Sequence, residues 1–269
     1  AKEENTRIRF IKTNMRQLLN EKRLTKDFGK FLTQHSWWGA VQHGVGLLGL
    51  CAPLTAAAHI STLLIASSST PNSLRHGKRW GSHPLIDNKL SWANIRVIHH
   101  GANLSRQDKI RYLLKNYIEP HKRYPPLRVC YAQFREFNCG KCEKCIRTVT
   151  GLVLENIDPN KCGFNVGKDF FILLKIVLLE RSPYFYLGDK YGMWNDIQRH
   201  IPNKLSNDIY NSKEFFEWFR DFDLSEQLDR RNLRYWWSRI FERLPESIKR
   251  IIVSFSVFFR ALKRNYALL

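Results

Sequence analysis

The spacing of apolar residues along the first part of the chain alternates between that of strands and that of helices. Polar and apolar residues alternate with a period of two over 7–12, which predicts a strand. Residues 60–66 are almost wholly apolar, which is typical of a strand covered on both faces. The β-rich patterns at 94–99 and 127–131 predict two further strands.

Helical spacing separates these strands. Apolar residues recur every three or four positions over 15–32, 44–59, 105–118 and 143–155. The second of these segments predicts a closely packed, buried helix that Pro53 bends or splits. Ser105 and Asp108 resemble a capping box at the start of the third. Strands and helices in this order predict an α/β fold, with a Rossmann-like parallel sheet covered by helices on both faces.

The composition changes near residues 163–168. Beyond this point strand patterns are rare, and aromatic-rich helical patterns follow at 170–179, 212–222, 224–241 and 246–264. We therefore predict an α/β domain over 1–165 and a C-terminal helical domain over 166–269.

The chain is strongly basic. It holds 44 Lys and Arg against 24 Asp and Glu, a formal net charge of +20. Such a charge either serves solubility or indicates a polyanionic partner, such as a nucleotide, tRNA or an anionic membrane face.

Hydropathy and the start of the chain restrict the localisation. We find no apolar run of about 18 to 20 residues and predict no transmembrane segment. Residues 1–5 are charged and are not followed by the apolar core of a signal peptide. The first residue is Ala rather than Met, so we expect a piece of a longer or processed protein. We expect this protein to be located in the cytoplasm.

Four of the six cysteines fall within sixteen residues and form the segment 130–145, here called the cysteine knuckle. Their spacing is Cys130-x8-Cys139-x2-Cys142-x2-Cys145, which suits a tetrahedral zinc ion held by four thiolates in a reducing compartment. Gly140 can supply the positive φ of a tight turn. Because four protein ligands leave no open position, the metal is expected to be structural. An iron–sulfur cluster and four unrelated reduced cysteines remain alternatives.

The knuckle and the segments before it resemble one enzyme family. The run Leu127-Arg128-Val129-Cys130, and the run from Asn138 to Thr148, look like the zinc knuckle of 7-cyano-7-deazaguanine synthases, members of the PP-loop (N-type ATP pyrophosphatase) superfamily. The similarity covers about residues 7–155. Upstream it includes His43-Gly44, the strand 60–66 with Ser67-Ser68, and the segments 81–87 and 104–110.

The resemblance implies an ATP- and Mg²⁺-dependent reaction. Such an enzyme transfers AMP to a carboxylate and releases pyrophosphate; ammonia then displaces AMP to give an amide, or after a second activation a nitrile. One departure is clear, because the Ser-Gly-Gly-x-Asp-Ser pyrophosphate loop is not in this sequence. We expect this loop to lie upstream of Ala1; the alternative is a relative that does not use ATP.

Candidate ATP- and substrate-binding residues follow from position and from the resemblance. Loops at the carboxyl ends of parallel strands form the ligand crevice of open α/β sheets, although a hydroxyl-rich turn or an exposed loop would look the same. Arg106 and Lys109 oppose the dipole at a helix start, which a bound anion would explain; a solvated helix face is the alternative. His99 and His100 are adjacent in a strand and should point to opposite faces. The candidates are His43, Gly44, Ser67, Ser68, His83, Asp87, Arg106 and Lys109.

Two functions are therefore in view. The first is an adenylating ligase that forms an amide or nitrile from a nucleotide and a small or macromolecular carboxylate. The second is a catalytically inactive zinc-knuckle domain that binds tRNA or another polyanion. The sequence leaves a homodimer open in both cases.

Overall fold

We describe the protein from a computed structural model of the 269-residue chain. The description covers residues 6–31, 36–68, 80–130, 137–179, 189–205 and 208–225. The chain divides into two compact units, Ala1–Arg123 and Tyr124–Leu269, and each is described by itself.

The first unit opens with a segment that contains no strand. Residues 6–14 have no regular secondary structure, so the prediction of a strand over 7–12 is wrong. Alternation alone does not make a strand, which also needs a neighbour for its backbone groups, and Phe10 is 92% exposed here. Helices α1 (Met15–Leu18) and α2 (Glu21–Phe28) follow, the latter extended by a 3₁₀ turn over Gly29–Phe31.

Helix α3 runs continuously over Trp38–Ala57. It is π-helical over Trp38–Gly46 and α-helical over Leu47–Ala57, and Pro53 lies inside it without splitting it. The helix starts earlier than predicted and is buried along only part of its surface.

By length and composition α3 could cross a membrane, which the sequence analysis overlooked. Among the described residues α3 is one helix with this length and composition. A single such helix is weak evidence for a membrane span, because the core helix of a soluble protein can be equally long and apolar.

The sheet contains three strands in the described part of the chain, in the order β1 (Thr62–Ala66), β3 (Ile95–His100), β2 (Ser91–Trp92). Strands β1 and β3 are parallel, with Leu64 opposite Ile98 and Ala66 opposite His100. Strand β2 is antiparallel to β3, so the sheet is mixed rather than purely parallel. The short helix α4 (Pro84–Asp87) precedes β2.

The two parallel strands differ in burial. β3 alternates, with Ile95, Val97 and His99 buried, and the prediction that His99 and His100 face opposite sides is confirmed. The prediction that β1 is covered on both faces is wrong, because Leu64 is 57% exposed. A continuous apolar run carries no information about which face is covered, and β1 lies at an edge of the described sheet.

Helix α5 closes the described part of the first unit. It begins at Arg106, turns π-helical over Lys109–Leu114 and continues as α-helix over Lys115–His121. The predicted capping box is confirmed. Asp108 N–H donates to Ser105 Oγ at 3.1 Å, and Ser105 N–H donates to Asp108 Oδ2 at 2.9 Å.

The described residues of the second unit are mostly helical. The helices are α6 (Glu143–Leu154), α7 (Phe170–Leu179), α8 (Asp189–Arg199) and α9 (Ser212–Asp221), with 3₁₀ turns over Pro159–Cys162 and Ile209–Asn211. The predicted helices at 143–155, 170–179 and 212–222 are confirmed. Residues 127–130 form no strand, contrary to prediction. The predicted helix 246–264 lies outside the described residues, as does all but the start of the helix 224–241.

One aromatic core joins these helices. Val153 and Leu154 at the end of α6 belong to the same buried cluster as Phe171, Trp194 and Phe219 from the three later helices. The cluster therefore spans the compositional change at 163–168, and a separate C-terminal helical domain stays a prediction.

Candidate functional site

The four cysteines of the knuckle converge on one point. All four sulfur atoms lie within 4.8 Å of one another. The Sγ–Sγ distance is 3.4 Å for Cys142–Cys145 and 3.9 Å for both Cys130–Cys142 and Cys139–Cys145. A zinc ion about 2.3 Å from each of four thiolates sets them about 3.8 Å apart. The cluster therefore has the size of a site for a single metal ion such as zinc, whereas an iron–sulfur cluster would need room for several atoms.

The local backbone explains this convergence. Gly140 adopts φ +65°, as its place after Cys139 suggested, and Cys142 N–H donates to Cys139 Sγ at 3.3 Å. Helix α6 begins directly after Cys142, so Cys145 lies in its first turn, fully buried. Burial raises the pKa of the Cys142 and Cys145 thiols. A bound divalent cation would oppose this rise by stabilising the thiolates.

Asn138 ties the knuckle together, and the sequence analysis did not single it out. Its Oδ1 accepts from Val129 N–H at 3.0 Å and from Cys130 N–H at 3.3 Å. Its Nδ2 donates to the carbonyls of Leu127 at 2.7 Å and Gly163 at 2.9 Å. The buried side chain thus fixes the first ligand, Cys130, against the loop that carries the other three.

A second group of polar residues lies in the first unit, where β1 and β3 end. Ser67 follows β1 and its N–H donates to the His100 carbonyl at 2.9 Å. Lys109 reaches this point from α5, and its Nζ donates to the Ser67 carbonyl at 2.6 Å. The structure therefore brings the predicted residues Ser67 and Lys109 together at the carboxyl edge of the parallel pair.

The charge at this edge is positive. Burial lowers the pKa of Lys109, and the neighbouring positive charge of Arg106 lowers it further. A bound phosphate or carboxylate would offset both effects, because it favours the charged amine. The geometry is thus suited to an anion next to the start of α5.

Asp87 is the centre of a buried hydrogen-bond network that includes His99 near the end of β3. Its side chain is fully buried, and Oδ2 accepts from Ser82 Oγ and from His99 Nδ1, both at 2.7 Å. Asn88 Oδ1 accepts from the His99 backbone N–H at 2.6 Å. Asp87 Oδ1 has no hydrogen-bond partner in the described structure. Ser82 and His99 were not candidates from the sequence.

His43 lies near this network. Its Nδ1 accepts from Trp80 Nε1–H at 2.7 Å, so neutral His43 carries its proton on Nε2. Burial lowers the pKa of His43, and the charge of Asp87 opposes that change. Gly44 makes the close approach possible, because a Cβ at this position would lie 2.0 Å from the Gly81 carbonyl oxygen.

The remaining candidates have more ordinary surroundings. His83 caps α4, since its Nδ1 accepts from Leu85 N–H at 3.1 Å, and Ser68 is exposed beside Ser67. The two groups described above meet along β3, because His99 belongs to the Asp87 network and the adjacent His100 contacts Ser67. His43 and Lys109 also both lie in π-helical segments, which are frequent at functional sites.

A shallow depression of about 430 Å³ opens at the opposite edge of the sheet, among Thr62, Ser91 and Arg96. It contains none of the predicted site residues. We therefore place the candidate site at the carboxyl edge, where the polar and cationic side chains converge.

The chain has no detectable similarity to known proteins in the comparisons made: no family model, no curated protein and no solved structure matches it.

Proposed function

We propose that this chain is part of an ATP-dependent, PP-loop-type enzyme that activates a carboxylate by adenylation and converts it to an amide or nitrile. The observation that carries the proposal is the grouping of Ser67, Arg106 and Lys109 at the carboxyl edge of the parallel strands β1 and β3. This is where open α/β sheets bind ligands. ATP with Mg²⁺ supplies the AMP group, and the pyrophosphate loop is assigned to sequence outside these 269 residues.

The cations have a definite role in this reaction. Adenylation builds negative charge on phosphate oxygens, and fixed positive groups in a partly desolvated site stabilise it without reorganising. Lys109 is held in place by the Ser67 carbonyl, which leaves its charge available at the strand ends. His43 Nε2–H adds a neutral donor near Asp87.

The cysteine cluster has a structural role in the proposal. We assign it one zinc ion held by Cys130, Cys139, Cys142 and Cys145. Four protein ligands leave no position for water or substrate, so zinc stabilises the knuckle and takes no part in the reaction.

The alternative, a binding-only domain for tRNA or another polyanion, is favoured by charge alone. Residues 6–31 hold eight Lys and Arg against two acids, and all eight cations are exposed. Exposed cations of this kind bind nucleic acid through phosphates with a strong salt dependence.

The decisive experiment is ATP–pyrophosphate exchange by the complete gene product with Mg²⁺ and a panel of carboxylates. We expect exchange that depends on one acid, and a loss of about 100-fold in Lys109→Met. Lys89→Met, at an exposed lysine of the same unit, is the matched control and should retain the wild-type rate. Absence of exchange with every acid, together with salt-dependent tRNA binding, would favour the alternative function.

A further inference from the structure

We propose that His99, oriented by Asp87, is the base that accepts the proton of the amine attacking the activated carboxyl group. The inference rests on the proposed function and adds a catalytic residue to it. Neither His99 nor its partner Ser82 is among the candidate binding residues predicted from the sequence.

The contact with Asp87 determines which nitrogen of neutral His99 carries the proton. A carboxylate only accepts hydrogen bonds, so the 2.7 Å contact to Asp87 Oδ2 places the proton of neutral His99 on Nδ1. The lone pair is then on Nε2, which has no hydrogen bond to a described residue. This is the arrangement in which a carboxylate holds a histidine as a general base and stabilises the imidazolium that forms.

The His99–Asp87 pair is buried and held by further hydrogen bonds. The side chains of His99 and Asp87 are 3% and 0% exposed, and Ser82 Oγ donates to the same carboxylate oxygen at 2.7 Å. Asn88 Oδ1 accepts from the His99 backbone N–H and holds the backbone of the same residue. A structural pin would be expected to satisfy both carboxylate oxygens, yet Asp87 Oδ1 is buried with no partner among the described residues. Because Ser82 Oγ donates to the carboxylate oxygen that also holds His99, Ser82 is a positioning residue for the pair.

His99 lies close along the chain to the cationic edge of the sheet. His99 is the penultimate residue of β3. The backbone carbonyl of the next residue, His100, accepts a hydrogen bond from Ser67 N–H, and the Ser67 carbonyl in turn accepts one from Lys109 Nζ. The base and the cationic edge are thus adjacent along the backbone. His43 offers the complementary chemistry, an Nε2–H donor near Asp87.

The amine nitrogen attacks the acyl carbon and forms a C–N bond, and the bond from that carbon to the AMP oxygen breaks. AMP leaves with the electron pair, and the proton of the amine moves to His99 Nε2. No oxidant or reductant is needed.

The first test does not depend on turnover. In ¹⁵N-histidine-labelled protein, with His99→Gln to assign the signal, we expect the Nδ1–H tautomer for His99. Diethyl pyrocarbonate, which acylates an unprotonated imidazole nitrogen, should modify His99 in the wild type and about 10-fold more slowly in Asp87→Asn. An Nε2–H tautomer, or a His99 still unmodified when exposed His100 has reacted completely, would overturn the proposal.

The second test separates the two half-reactions of the complete protein. With the acid that supports exchange and with ammonium, His99→Gln should form amide at least about 100-fold more slowly while ATP–pyrophosphate exchange changes less than about threefold. Hydroxylamine, a nucleophile that needs no base, should restore product formation in this variant. His59→Gln, at an exposed histidine outside this group, is the control and should behave as wild type.

Equal losses of exchange and amide formation would show a structural role for His99 and contradict the proposal. If the wild type shows no exchange with any acid, the proposed function fails, and with it the step assigned to His99. The tautomer and acylation results then decide only whether Asp87 holds His99 as a free base.

Discussion

Asn138 connects three backbone segments around the cysteine cluster through four hydrogen bonds. Residues that orient metal ligands without touching the metal commonly change metal affinity by about 10- to 100-fold when they are removed. At this scale the shape of the knuckle depends on the Asn138 amide as well as on its four thiols.

We predict that Asn138→Ala weakens zinc binding by about 10- to 100-fold, because the Cys130 backbone loses its anchor. Competition with a chromogenic chelator measures this affinity. Asn165→Ala, at an exposed asparagine in the same unit, is the control. Unchanged affinity in Asn138→Ala would show that the thiols alone shape the site.

His43 gives a prediction for pH. Burial lowers its pKa in the folded protein below the ordinary value of about 6.5. As the pH falls through about 6.5 the unfolded chain takes up the proton first, so the folded state loses stability towards the lower folded pKa. We therefore predict that the free energy of unfolding of the wild type falls more steeply between about pH 7.5 and pH 5 than that of His43→Gln.

Urea unfolding at several pH values measures this difference. His59→Gln, at an exposed histidine, controls for the loss of a histidine as such. Parallel curves for the wild type and His43→Gln would contradict the assignment.

Sequence reasoning could reach some of these residues and not others. The four cysteines and Gly140 are close in sequence, so spacing alone carries the information. Asn138 bonds to Gly163, and His99 bonds to Asp87, across 25 and 12 residues. Contacts of this range depend on the tertiary fold, and no local pattern marks them.

At the scale of elements, the position of α3 depends on a single small residue. Gly44 faces the Gly81 carbonyl at a distance that excludes a Cβ, and Gly81 N–H donates to the Gly39 carbonyl at 2.7 Å. This contact sets His43 beside Trp80 and the Asp87 network.

We predict that Gly44→Ala destabilises the protein by about 3 kcal/mol, because backbone must move to admit the methyl group. Gly49→Ala is the matched control in the same helix, since nothing lies within 4 Å of its added Cβ. That variant should be neutral or more stable by up to about 1 kcal/mol. Equal unfolding midpoints in urea for the two variants would contradict the close packing of α3.

The elements themselves were predictable to different degrees. Helices with a marked apolar face, such as α6 and α9, and the capping box of α5 follow from local sequence. The strands followed only in part: the patterns at 60–66 and 94–99 match β1 and β3, whereas 7–12 has the alternation of a strand without being one. Because strand pairing is non-local, the apolar run of β1 also did not reveal that one side of the strand is exposed.

At the scale of the whole molecule, the chain combines a small α/β unit with a largely helical unit that carries the cysteine cluster. The +20 charge concerns both proposed functions, because nucleotide and nucleic acid are both polyanions. The net charge therefore does not distinguish the two functions, which differ in whether the protein uses ATP to activate a carboxylate.

The metal content of protein purified without added metal tests the central claim most directly. We predict about one zinc per chain in the wild type and in Cys51→Ser, whose thiol lies outside the cluster, and its loss in Cys142→Ser. A wild-type protein without zinc, or a Cys142→Ser variant that keeps it, would contradict the assignment of the knuckle as a zinc site.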